Sequence, residues 1–128
     1  MSLTDKYPHD ELTHEIISAA IEVHRHLGPG LMETSYERAL CLELSSVGIH
    51  FVRQMRVPVT YKGTVVGEYR ADLIIENRVV VEIKSVDKLA GVHLAQLLAY
   101  MHVLRVPTGL LLNFYGEVLR TGVRRVVL

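Results

Sequence analysis

In the stretch ADLIIENRVVVEIKS, Ala71 to Ser85, three residues carry groups that could do chemistry together: Asp72, Glu82 and Lys84. Side chains alternate along a strand, so Val79, Val81 and Ile83 share one face and Glu82 and Lys84 share the other. The run is as apolar as a central strand, and a charged pair inside it needs a partner or a purpose. A loop made of Glu76, Asn77 and Arg78 pairs Ile75 with Val79 and puts Asp72 opposite Glu82, with Cβ atoms about 5 Å apart. A loop one residue shorter separates the two acids onto opposite faces unless a bulge intervenes, so a shared face requires an odd loop or a bulge. Carboxylates that close repel unless a cation or a proton lies between them. Their hard oxygens suit Mg²⁺, which takes one or two carboxylates and keeps waters for itself and its substrate. A neighbouring lysine can orient or deprotonate an attacking water, or offset charge in the transition state. The plain alternative is a surface ion pair between Glu82 and Lys84, with an unrelated, exposed Asp72.

Further candidates lie on the predicted helices. Gln96 and Tyr100 are spaced i, i+4 and share a face of the helix that follows the Glu82–Lys84 strand. In GPGLMETSYERAL a glycine break precedes a helix with Glu33 in its first turn, where an acid gains about 0.3–1 kcal/mol from the helix dipole. Tyr36 lies one turn on, where core packing is the ordinary use of a tyrosine. His24 and His26 are two apart and do not share a helix face, while His93 stands three residues before Gln96. No Cys/His set has zinc-ligand spacing. The Gly28-Pro29-Gly30 turn lacks a P-loop lysine pattern and reads as a helix breaker.

These residues must be positioned by the elements around them. Apolar residues at Leu12, Ile16, Ala20, Val23 and Leu27 predict a helix from Asp10 to the Gly28 break, and a second helix runs from about Leu31 to Val47. FVRQMRVPVTY is extended, with Pro58 favouring an edge or a bulge, and Tyr61–Thr64 form a turn. Strands follow over Glu68–Ile75 and Val79–Lys84. Helical periodicity returns after Ser85 and lasts to Arg105, then GLLLNFY and VRRVVL read as strands. The order ααβββαββ implies one mixed sheet flanked by helices, an α/β (α+β) fold with a crossover between its third and fourth strands. Residues 1–9 read as a loose tail, and residues 10–128 as one domain.

The 128-residue chain is 49% hydrophobic and 22% charged, an ordinary globular composition of one-domain size. No apolar run approaches the roughly 20 residues needed to span a bilayer, and the polar start MSLTDKYPHDE is no signal peptide, so a cytoplasmic location is expected. The single cysteine, Cys41, excludes an intrachain disulfide and a thiolate metal cluster. The zero net charge hides an asymmetry: residues 1–50 hold eight acids against three Lys/Arg, and residues 51–128 hold six against eleven. A basic half is compatible with a nucleic-acid partner.

The motif Gly30-Leu31-Met32-Glu33-Thr34-Ser35-Tyr36, together with VHRHLGPG, VPVTYKGTVVGEYRADLIIEN, VVVEIKSV, AQLLAY, GLLLNF and RRVV, resembles the GxxExxY proteins. These are small, RecB-like members of the PD-(D/E)XK nuclease superfamily. The resemblance spans roughly residues 10–128 and implies a restriction-endonuclease-like core and a nuclease dependent on Mg²⁺, or Mn²⁺, that hydrolyses phosphodiesters of nucleic acid. It implies metal ligation by Glu33, Asp72, Glu82 and the carbonyl of Ile83, with Lys84 as the motif lysine. Gln96 and Tyr100 match the QxxxY motif that lines the site, and Tyr36 would line it as well. Ala71 stands where the superfamily name has proline. So small a domain has little surface with which to clamp a duplex, which points to a homodimer or a partner protein. The rival expectation is a non-catalytic module that uses the same fold to bind nucleic acid or protein.

Overall fold

The computed structural model describes residues 10–128, so the tail expected over residues 1–9 lies outside the described residues. Helix α1 spans Asp10–Leu27 and α2 spans Glu33–Ser46. Strands β1 (Phe51–Tyr61), β2 (Thr64–Ile75) and β3 (Val79–Lys84) follow, then α3 (Gly91–Leu104), β4 (Thr108–Asn113), a 3₁₀ turn over Leu119–Gly122 and β5 (Val123–Val127). The sheet order is β1-β2-β3-β4-β5, antiparallel except for the parallel β3–β4 pair that α3 connects. This is the mixed, helix-flanked sheet of a restriction-endonuclease-like fold. Pro58 lies in β1, an edge strand, where its missing N–H costs no ladder bond.

Both faces of the sheet are covered. On one, α1 and α2 pack Ile16, Val23, Tyr36, Leu40 and Leu44 against Leu73, Ile75, Val79, Val81, Ile83 and Leu112. On the other, α3 packs Leu97, Tyr100 and Met101 against Val57, Ala71, Ile74, Val80 and Leu111. Glu82 therefore points toward a second buried layer and not toward solvent. Gly109 on β4 permits the close approach of α3: a Cβ there would stand 3.0 Å from Leu97 Cγ.

Three elements differ from the sequence expectation. Helix α2 begins at Glu33 instead of Leu31, because the Tyr36 hydroxyl accepts the Leu31 N–H (3.1 Å) and donates to the Gly28 carbonyl (2.6 Å), tying the turn outside the helix. Strand β2 begins at Thr64, making the β1–β2 hairpin longer than expected; Lys62 (φ 48°) and Gly63 (φ 85°) form the tight turn. Helix α3 begins at Gly91, since residues 85–90 are held in an irregular path. There the Asn113 side chain accepts the Val86 N–H (3.1 Å) and donates to the Val86 carbonyl (2.9 Å).

Candidate active site

The β2–β3 connection is the three-residue loop, with Glu76 (φ 52°) and Asn77 (φ 55°) left-handed and Ile75 opposite Val79. Ladder pairing continues only through Ile74–Val80 and Leu73–Val81. Beyond that point side chains take over the cross-strand bonding. The Asp72 N–H donates to Glu82 Oε2 (2.7 Å), and the Ile83 N–H donates to Asp72 Oδ2 (2.8 Å). The N–H and C=O of one strand residue point to the same edge, so the Ile83 carbonyl also faces the gap that Asp72 fills.

A second irregularity widens this gap. On β1, Phe51 packs with the α1/α2 layer, whereas Met55 and Val57 pack with the α3 layer. On β2, Leu73 belongs to the first layer and Ala71 to the second. Residues of equal parity thus lie on opposite faces, and both strands turn over at Gln54 and Asp72. Gln54 takes a left-handed φ of 50°, which kinks β1 there without a change of register, unlike the register shift between Val59 and Thr60. It is unpaired in the β1–β2 register, where Arg53 opposes Leu73 and Met55 opposes Ala71.

Burial dominates the electrostatics. Glu82 is only 3% exposed, and this desolvation, reinforced by the negative charge of Asp72, pushes its carboxyl up to about 8. The Asp72 N–H and Lys84 oppose that rise. Asp72 is also raised, mainly by burial and then by Glu37, against the Ile83 N–H, Gln54 and Lys84. At neutral pH the pair therefore retains a proton where a cation would displace it. No ion pair joins Glu82 to Lys84 among the described residues; the half-buried lysine lowers both acids through its field.

The remaining expected residues are distributed as follows. Glu33 Oε2 accepts the Ser85 N–H (2.9 Å), which places this acid at the end of β3, just past Lys84. Tyr100 on α3 is 5% exposed; burial first, then Glu82 and Asp72, push its hydroxyl up to about 12, so it stays a neutral donor beside the acids. Gln96 lies half-buried one turn earlier on α3. Tyr36 does not line the cleft. It is fully buried, its ring stacks on Phe114 (4.4 Å between centroids), and its hydroxyl is consumed by the Gly28–Leu31 turn. Among the described residues no group of three or more His, Cys, Asp or Glu side chains is close enough together to hold a metal ion.

Two neighbours of the acid pair escaped the sequence reading. Glu37, one helical turn beyond Glu33, is 4% exposed, and its Oε2 accepts from Arg53 Nε (3.1 Å) and Nη2 (2.9 Å). Gln54 Nε2 bridges Glu37 Oε1 (2.8 Å) and Asp72 Oδ1 (3.3 Å). The i, i+4 spacing of Glu33 and Glu37 was a readable signal for a shared helix face. Nothing in the sequence marks the left-handed kink that brings the Gln54 amide between Glu37 and Asp72.

His24, His93 and Cys41 serve structure. The His24 ring Nε2 lies 3.1 Å from the Phe114 carbonyl and 2.8 Å from that of Gly116, so it donates to them. His93 Nδ1 accepts the Ala90 N–H (2.9 Å) at the start of α3. Cys41 is buried, and desolvation pushes its thiol up to about 11, which keeps it unreactive. No helix among the described residues is long and apolar enough to cross a membrane.

Searches of curated proteins and of solved structures each returned no match. A scan against protein families matches residues 10–126, nearly the whole chain, and every residue of the Asp72–Glu82–Lys84 constellation falls within that span. The chain belongs to the PD-(D/E)XK nuclease superfamily.

Proposed function

We propose that the protein is a nuclease of the GxxExxY type, hydrolysing phosphodiester bonds of nucleic acid with Mg²⁺ or Mn²⁺. The observation that carries this reading is the pair Asp72 and Glu82 in the parted β2–β3 hairpin, where the buried Glu82 carboxyl accepts the Asp72 N–H and the half-buried Asp72 carboxyl accepts the Ile83 N–H. Structural acids are ordinarily matched by a cation; these are matched only by N–H groups, Gln54 and the field of one half-buried lysine. The donor set fits a hard divalent ion: carboxylate oxygens of Asp72 and Glu82 and the Ile83 carbonyl at the same gap. Glu33 would complete the set on leaving the Ser85 N–H. A divalent ion held there would neutralise the pair and polarise a scissile phosphate.

The chain's own groups have separable tasks. Asp72 and Glu82, held by the Ile83 and Asp72 N–H groups, keep fixed positions before substrate arrives. Lys84 orients the attacking water and offsets charge on the phosphoryl oxygens. The water oxygen forms a bond to phosphorus and releases a proton to bulk water, the bond to the departing sugar oxygen breaks, and that oxygen takes up a proton from solvent. Tyr100, neutral and beside the acids, donates a hydrogen bond toward the substrate, with Gln96 one turn away on the same face.

Calorimetric titration with Mn²⁺ or Mg²⁺ of the wild type, Asp72→Ala and Glu82→Ala tests the reading, followed by nucleic-acid cleavage with Lys84→Ala as control. Binding in the wild type alone, with cleavage lost in Lys84→Ala, is expected. Metal binding untouched by either acid substitution, with DNA absent and present, would sink it in favour of a non-catalytic binding module.

A further inference from the structure

The β1–β2 hairpin runs past the rest of the sheet, because β2 pairs with β3 only over Leu73–Ile75. Along the projecting part, residues 55–71, Arg56 and Arg70 oppose each other on one face, where Arg56 pairs with Glu68 and Arg70 donates to the Gln54 carbonyl, while Lys62 stands at the tip. Cross-strand partners share a face, and Val57 opposes Tyr69 while Val59 opposes Gly67. With Tyr61 two residues beyond Val59, one face of the arm presents Tyr69 and Tyr61 in line with the buried Val57. Tyr69 is 49% exposed and Tyr61 63% exposed.

The Tyr69 ring has a built orientation. It lies over Gly67, where a Cβ would stand 2.9 Å from Tyr69 Cε2, so only glycine lets the ring lie flat on the strand. Its centroid is 6.2 Å from that of Tyr100, tilted by 44°. Tyr100 in turn feels the charges of Glu82 and Asp72. The arm thus leads from Tyr61, with Lys62 Nζ 5.4 Å from its ring centroid, through Tyr69 to the acid pair. At about 3.3 Å per residue, Tyr61 lies roughly 13 Å along β1 from the Tyr69 position.

We infer that this face of the arm is a stacking track for single-stranded nucleic acid, leading an unpaired strand to the Asp72–Glu82 site. The inference rests on the nuclease reading and adds the substrate class. Exposed aromatic faces, here with the Lys62 ammonium beside the Tyr61 ring, stack unpaired bases without sequence preference, whereas a duplex hides the base faces that the tyrosines would meet.

The test is fluorescence anisotropy of the full chain with a labelled 20-nucleotide oligothymidine in Ca²⁺, for the wild type, Tyr69→Ala, Tyr61→Ala and Tyr69→Phe. A roughly tenfold weakening is expected in each alanine variant, with wild-type affinity in Tyr69→Phe, which keeps the stacking face. Circular dichroism and Mn²⁺ binding unchanged in Tyr61→Ala would separate this loss from misfolding and from failure of the metal site. Should Mn²⁺ fail to bind while the arm variants still lose the oligonucleotide, the nuclease reading falls and the track stands. Equal affinity across all variants would overturn it, as would a blunt duplex competing as well as the single strand. A dimer at micromolar concentration that Tyr61→Ala dissolves would overturn it too, by assigning the face to a second copy.

Discussion

Metal binding by this protein should be strongly proton-linked, and the size of the effect follows from the burial of Glu82. With its carboxyl near 8, about 1% of the Glu82 side chains are ionised at pH 6, roughly 10% at pH 7 and about half at pH 8. A divalent ion needs the ionised form, so apparent affinity should rise about tenfold per pH unit from 6 to near 8 and then level off. Binding at pH 7 should release close to one proton, read by calorimetry in buffers of different ionisation enthalpy. Glu82→Gln should abolish both the slope and the proton release. The same raised carboxyl sets the sign for stability without metal. Its contribution is fully present below the unfolded-chain value of 4.5 and is lost as pH climbs through about 8. Unfolding free energy of the metal-free protein should therefore fall across that window by up to about 1.4 kcal/mol per pH unit, and Asp72, also raised, adds in the same direction. An affinity that changes less than about twofold between pH 6 and 8 would refute the reasoning, because it would mean that Glu82 is already ionised in the folded chain.

Two substitutions probe the surroundings of the pair. Gln54→Ala should cost about 1–3 kcal/mol in urea denaturation by leaving Glu37 Oε1 without its amide partner. Gln54→Gly should recover about 1 kcal/mol of that by relieving the left-handed backbone, and equal stability of the two variants would contradict that strain. Tyr36→Phe should lower stability by about 1–2 kcal/mol and speed exchange of the Leu31 amide, the effect of a turn brace in the core. Unchanged Leu31 exchange would count against that role.

Local rules made much of the framework legible. The helical period of Leu12 to Leu27 and the Gly28-Pro29-Gly30 break define α1 to the residue at its C-terminal end. Parity, from the side-chain period of two in a strand, reduced the hairpin register to two alternatives, and the three-residue loop is the one found: Ile75 faces Val79, and the ladder runs to Leu73–Val81, one step short of Asp72 and Glu82. That periodicity is local, and Asn77 tolerates the left-handed turn it requires. Element ends were less legible. Helix α3 starts late because Asn113, from a strand far along the chain, claims the Val86 backbone, and Tyr36 trims α2 through the preceding turn.

The state of the site was decided by tertiary structure. Alternation puts Glu82 off the Val79–Val81–Ile83 face, but only the packing of α3 makes its own face a second buried layer. That burial, a property of distant segments brought together, raises the carboxyl and turns a plausible surface ion pair into a proton-holding acid pair. Gln54 and Glu37 join it for the same reason. A left-handed kink at Gln54, with no change of register, accompanies the exchange of inside and outside along β1 and β2, and no period of two or of 3.6 records such a reversal.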